Sequence, residues 1–153
     1  MRSSSSLAQY VKKRNGVPLG ASHSMRNMLS RSLGAKSFPV FWYYWNPIWS
    51  YYLSRNVMRP LKHFLPSSLA VLCTFIVSGA LHDLAAALVK WKVVFFFTPW
   101  FGLMGLIVIT FSKLGISYGH VAWRIRATIN VFIIVTTLWL IYCVDASLSL
   151  ISS

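Results

Sequence analysis

Acidic side chains are almost missing from this chain. Its 153 residues hold two carboxylates, Asp83 and Asp145, against fifteen Lys and Arg, for a formal net charge of +13. All charged residues together make up 11% of the sequence, where a soluble domain carries about 25%. That shortage argues against a water-soluble helical domain. Cysteine is scarce too. Cys73 and Cys143 both sit in apolar stretches, so the sequence offers neither a disulfide framework nor a metal-ligand spacing, and both read as inert packing residues. It also lacks a Ser-His-Asp set, a phosphate-binding loop and any nucleic-acid motif. Nothing in it calls for a metal or a bound cofactor.

What is abundant is apolar: 56% of the residues are hydrophobic. Three uncharged runs approach the 18 to 20 residues that a bilayer crossing needs. One begins at Phe64 and reaches Leu81, continuing past His82 and Asp83 to Val89; the others cover 93–112 and 127–144. Polar residues do not alternate along them, as they would on a surface helix. The expected fold is therefore all-α and integral to a membrane, with spans over 66–89, 93–112 and 127–145. Pro99 predicts a kink in the second span near 95–99. Gly102 and Gly105 would let that span approach a neighbour closely.

The rest divides into an extension, 1–37, rich in Ser and basic residues, and an aromatic and basic segment, 38–62, ahead of the three-helix region, 63–153. The extension contains no acid. It reads either as a mitochondrial presequence or as a plain basic tail. If it is retained and ordered, a surface, expected to be a partner's, lies beneath it. Trp42, Tyr43, Tyr44, Trp45, Trp49, Tyr51 and Tyr52 suit the headgroup level, so this segment is expected to form an interfacial or re-entrant helix, broken or started near Pro47. Arg55, Arg59 and Lys62 follow, with Pro60 limiting any helix there. Ten basic residues precede the first span and three lie between the second and third, leaving Lys90 and Lys92 on the other side. By the positive-inside rule the N-terminus is cytoplasmic or matrix-facing. Beside membrane helices, this charge suits an anionic phospholipid such as cardiolipin, and Arg55, Arg59 and Lys62 are its candidate headgroup site. Nucleic acid is not expected.

Two polar features stand out in this background. Asn46 closes the string Phe41-Trp42-Tyr43-Tyr44-Trp45-Asn46, and His82-Asp83 follows Val77-Ser78-Gly79-Ala80-Leu81. An ionisable pair within a span marks a candidate site. Together with Arg59-Pro60-Leu61 between them, these strings resemble, in order and spacing, the signature region of the membrane-bound O-acyltransferases. The resemblance covers about a third of the chain. It implies that His82 is a general base taking the proton of an acceptor hydroxyl as that oxygen attacks an acyl thioester, with acyl-CoA as co-substrate. It also implies that Asn46 orients the acceptor or polarises a carbonyl.

The residues themselves leave simpler roles open. A histidine inside a helical bundle is often just hydrogen-bonded, and Asn46 before Pro47 is a good helix N-cap. Asp83 lies about 100° further round the helix than His82, so it is expected to pair with a cation or cap a neighbouring element. Where the family has basic residues between its tryptophans, this chain has Tyr43 and Tyr44. Family members enclose a tunnel with many more helices than three. The expectation is thus a small acyltransferase-like accessory subunit of a larger membrane complex, contacting other membrane subunits. The alternative is the catalytic part of a split O-acyltransferase. The mitochondrial inner membrane is preferred to the endoplasmic reticulum or a bacterial inner membrane.

Overall fold

The computed structural model describes residues 6–151, with side chains to 148. Its elements are helices α1 (Leu7–Asn15), α2 (Ser24–Leu33), α3 (Phe38–Tyr44) and α4 (Pro47–Leu53), a π-helical turn (Ser54–Met58), then α5 (Arg59–Leu61), α6 (Ser67–Lys90), α7 (Phe97–Leu114) and α8 (Trp123–Ile151). No strand occurs among the described residues. Helices α6, α7 and α8 are long and apolar enough to cross a membrane, and the chain is an all-α integral membrane protein.

Helices α6 and α7 form an antiparallel pair, and two glycines set how closely they approach. A Cβ on Gly79, one of the two central residues of α6, would stand 2.6 Å from the Phe97 carbonyl oxygen and 2.7 Å from Thr98 Cα. A Cβ on Gly105 would stand 3.0 Å from Phe75 Cβ. Gly102, by contrast, has ordinary room, with Ile76 at 3.7 Å. Of the two glycines expected to mediate contact, then, Gly105 does so, and the closest approach is at Gly79.

The start of α7 differs from the sequence reading. Residues 93–96 are not helical, and Pro99 is the third residue of the helix. The first four N–H groups of a helix have no intrahelical acceptor, so proline costs nothing there and the expected kink is replaced by a helix start. Asp83 fixes that start. Its Oδ1 accepts from the N–H of Phe96 at 2.9 Å and of Phe97 at 2.8 Å, and its Oδ2 accepts from Thr98 N–H at 2.8 Å and Thr98 Oγ1 at 2.6 Å. Of the two roles open to it, Asp83 takes the cap. The carboxylate satisfies three orphan donors and meets the positive end of the helix dipole.

The aromatic segment forms a helical hairpin packed against α6 and α7. Helix α3 runs alongside α7, with the Phe38 ring 6.3 Å from Phe111 and the Trp42 ring 6.0 Å from Phe101. Those two α7 residues are about 15 Å apart along the axis. Asn46, at φ 40°, reverses the chain, and its side chain accepts from Trp49 N–H to cap α4. At the tip, Trp49 Nε1 donates to Ser78 Oγ of mid-α6 at 2.9 Å. Phe38 and Phe41 are fully buried against Phe101, Met104 and Val108 of α7. The chain then returns through a continuous helical run. Pro60, second in α5, has no N–H for the carbonyl four residues back, and the wider π turn, in which Arg59 N–H reaches Ser54 O, leads into it.

The basic extension lies on this hairpin and on α8, so the surface beneath it is the chain's own. Asn130 of α8, fully buried, donates to the carbonyls of Leu33 at 2.9 Å and Ala35 at 3.2 Å. Trp123 Nε1 donates to Ser30 O at 3.0 Å, and Tyr118 N–H to Lys36 O at 2.9 Å. Tyr118 O–H donates to Asn130 Oδ1, and burial pushes the phenol up to about 12. Helix α8 begins at Trp123, four residues before the expected start, because that indole is part of the clasp. The clasp brings residues 30–36 and 117–123 to one end of the bundle.

Two outcomes follow. In a variant lacking Cys73 and Cys143, cysteines placed at Ser22 and His120 should label from one face of the membrane and a cysteine at Lys92 from the other; labelling of 22 and 120 from opposite faces would refute the topology. Asp83→Asn should cost about 2 kcal/mol and Gly79→Leu at least as much, read as thermal unfolding in detergent, while Ala80→Ser on the exposed face should leave it unchanged.

Candidate functional site

Asn46 and His82 both lie near the place where the hairpin tip rests on the middle of α6. His82 lies one turn beyond Ser78, and its Nδ1 donates to the Ser78 carbonyl at 2.7 Å. A carbonyl can only accept, so Nδ1 carries the proton in this arrangement. The ring is half-buried among aromatics, with centroids 4.9 Å from Phe101, 5.8 Å from Phe97 and 5.9 Å from Trp49. It lines an apolar cleft of about 410 Å³ bounded by Leu33, Trp100, Met104 and Ile134.

Asn46 lines a different cleft, of about 260 Å³, together with Arg14, Ser50, Thr74 and Ser78. Trp42, Trp45 and Phe101 line both clefts and stand between the two polar residues. Asn46 is exposed, and its Oδ1 accepts from Trp49 N–H at 3.2 Å. The two residues that the family resemblance pairs for chemistry thus share an aromatic wall and not a cavity. Each has a polar atom engaged with the backbone.

Arg55, Arg59 and Lys62 are all exposed. They fall four and three residues apart at the outer end of the hairpin. Arg55 Nη1 donates to Tyr51 Oη at 2.8 Å, which holds one guanidinium beside the aromatic belt. The described residues include no group of three or more His, Cys, Asp or Glu that could hold a metal.

The sequence reading missed Arg14. Its guanidinium is sandwiched between the rings of Tyr10, 4.3 Å away, and Tyr43, 3.9 Å away. Its Nη1 donates to Tyr43 O at 2.8 Å and Ser50 Oγ at 3.2 Å. Burial lowers its pKa from the ordinary arginine value, partly offset by the two tyrosines. Arg31 supports it by donating to Arg14 O at 2.7 Å while lying 5.2 Å over Tyr44. Tyr43 and Tyr44 thus receive cations from α1 and α2. Only their aromatic faces, which attract cations, could have signalled this from the sequence. Asn130 was missed as well, although a lone amide in an apolar run is the kind of group that must find a partner.

No family model, no curated protein and no solved structure matches this chain.

Proposed function

We propose that the chain is a small structural subunit of a larger membrane assembly, built on an acyltransferase-like region whose polar residues hold the fold together. The observation that carries this reading is the separation of Asn46 and His82 into different clefts. A general base and the group that polarises its substrate must converge on one reacting centre within hydrogen-bond reach. Here Asn46 caps α4 and His82 Nδ1 is bonded to its own helix.

The size of the bundle supports the same reading. Only 22%, 17% and 11% of the apolar windows of α6, α7 and α8 are buried within the chain, so most of each helix face is open to lipid or to neighbouring subunits. An acyl-donor tunnel lined with polar groups needs protein around it, which other chains would have to supply. The exposed cations Arg55, Arg59 and Lys62 suit an anionic phospholipid, cardiolipin among them. The presequence-like extension suits the mitochondrial inner membrane.

One feature favours the alternative, a split O-acyltransferase using acyl-CoA. With Nδ1 donating to Ser78 O, a neutral His82 has its lone pair on Nε2, and the residue lines an aromatic cleft of acyl-chain character. The test is purification from the native membrane with and without His82→Ala. The structural reading expects several co-purifying subunits, unchanged assembly in the variant, and no transfer from labelled acyl-CoA by either. Acyl transfer by the unmutated assembly that His82→Ala abolishes would overturn it.

The lipid site has its own outcome. Each cation near a membrane surface contributes about 1 kcal/mol to attraction of anionic lipid, so Arg55→Ala/Arg59→Ala should retain cardiolipin many-fold less well at low salt, read by native mass spectrometry. Unchanged retention would count against these residues.

A further inference from the structure

Arg14, a partly buried cation, meets no acid among the described residues. Arg14 is half-buried in a cleft that reaches Ser78, a central residue of α6. Both carboxylates are elsewhere: Asp83 caps α7, and Asp145 lies near the opposite end of α8. Arg14 uses Nη1 on Tyr43 O and Ser50 Oγ, which leaves Nε and Nη2 without an acceptor among the described residues. The tyrosine sandwich fixes the guanidinium plane, so the fork is rigid before anything binds. The rest of the wall is apolar, with Leu53, Met58, Val71, Phe75 and Phe101.

We propose that this cleft, between α1, the α3–α4 hairpin and α6, binds an anionic lipid, its headgroup oxyanion on Arg14 and its acyl chain along the α6 wall. A planar guanidinium matches a phosphate or carboxylate bidentately. An oxyanion bound there supplies the counter-charge that the sequence omits. The flanking hydroxyls of Ser50, Thr74 and Ser78 are already engaged as hydrogen-bond partners inside the protein, so the charge is recognised by Arg14. This site is separate from the exposed Arg55, Arg59 and Lys62, and it does not depend on whether the chain is a structural subunit or part of an enzyme.

The two sites respond differently to salt. Surface attraction is screened at about 0.5 M salt, where the Debye length falls to roughly 4 Å, whereas a partly buried contact is screened less. The experiment is native mass spectrometry of the purified chain at that salt, titrated separately with phosphatidylglycerol, oleate, phosphatidylcholine and inorganic phosphate. One salt-resistant molecule of phosphatidylglycerol or oleate should be retained, and which of them binds names the source of the oxyanion. Arg14→Gln should weaken retention about tenfold. Thr74→Leu, which fills the cleft and leaves Arg14 in place, should do the same, and Arg55→Ala/Arg59→Ala should not. If Arg14→Gln loses its helical circular dichroism, Thr74→Leu decides. Equal retention of phosphatidylcholine, displacement of the lipid by inorganic phosphate alone, or unchanged retention in a folded Arg14→Gln or Thr74→Leu variant would overturn the proposal.

Discussion

The carboxylate of Asp83 against the first turn of α7 is the contact on which the remaining structure rests. An acid inside a span is expensive unless every oxygen is met, and here two oxygens receive four donors from Phe96, Phe97 and Thr98. One turn earlier, Gly79 removes the Cβ that would collide with Phe97 and Thr98. Charge and absence of bulk therefore act at the same spot, and together they fix where α7 starts and how closely it lies on α6. With α7 so placed, Phe101, Met104 and Val108 form the surface that buries Phe38 and Phe41, and the hairpin has somewhere to sit. The extension then seats on the hairpin, and Asn130 closes the far side by holding the end of α2.

The same shortage of acid shapes how the cations are held. Arg14 and Arg31 take aromatic faces and backbone carbonyls in place of carboxylates. Such partners satisfy hydrogen bonds and contribute cation–π attraction of about 0.5 to 2 kcal/mol, but they do not neutralise charge. The net charge of +13 is therefore not balanced within the chain.

Much of the frame was legible in the sequence because a bilayer-length apolar run is a strong signal. The first span is displaced by a single residue at each end. The cap at Asn46 and the capping option for Asp83 could be read from residue type and helical angle. What could not be read was pairing across long separations. Nothing local in the sequence says that Asn130 meets Leu33, that Trp49 meets Ser78, or that Arg14 threads between Tyr10 and Tyr43. The start of α7 was misplaced for a physical reason: apolar content continues through residues 93–96, but the helix begins only where Asp83 supplies acceptors. Likewise Pro99 reads as a kink when the run is taken as one helix, and as a first-turn residue once the cap is known. The likeness of Asn46 and His82 to a catalytic pair rests on their order in the chain. The fold brings both to the hairpin tip but puts Trp42, Trp45 and Phe101 between their clefts.

The most direct measurement is hydrogen exchange of the backbone amides of Phe96, Phe97 and Thr98 in detergent, resolved by NMR. These amides have no acceptor within their own helix, so any strong protection must come from outside it. The cap by Asp83 requires that all three exchange slowly, as slowly as amides in the interior of α7, and that Asp83→Ala releases them while mid-α6 amides stay protected. Fast exchange of these three amides in the unmutated protein would contradict the account.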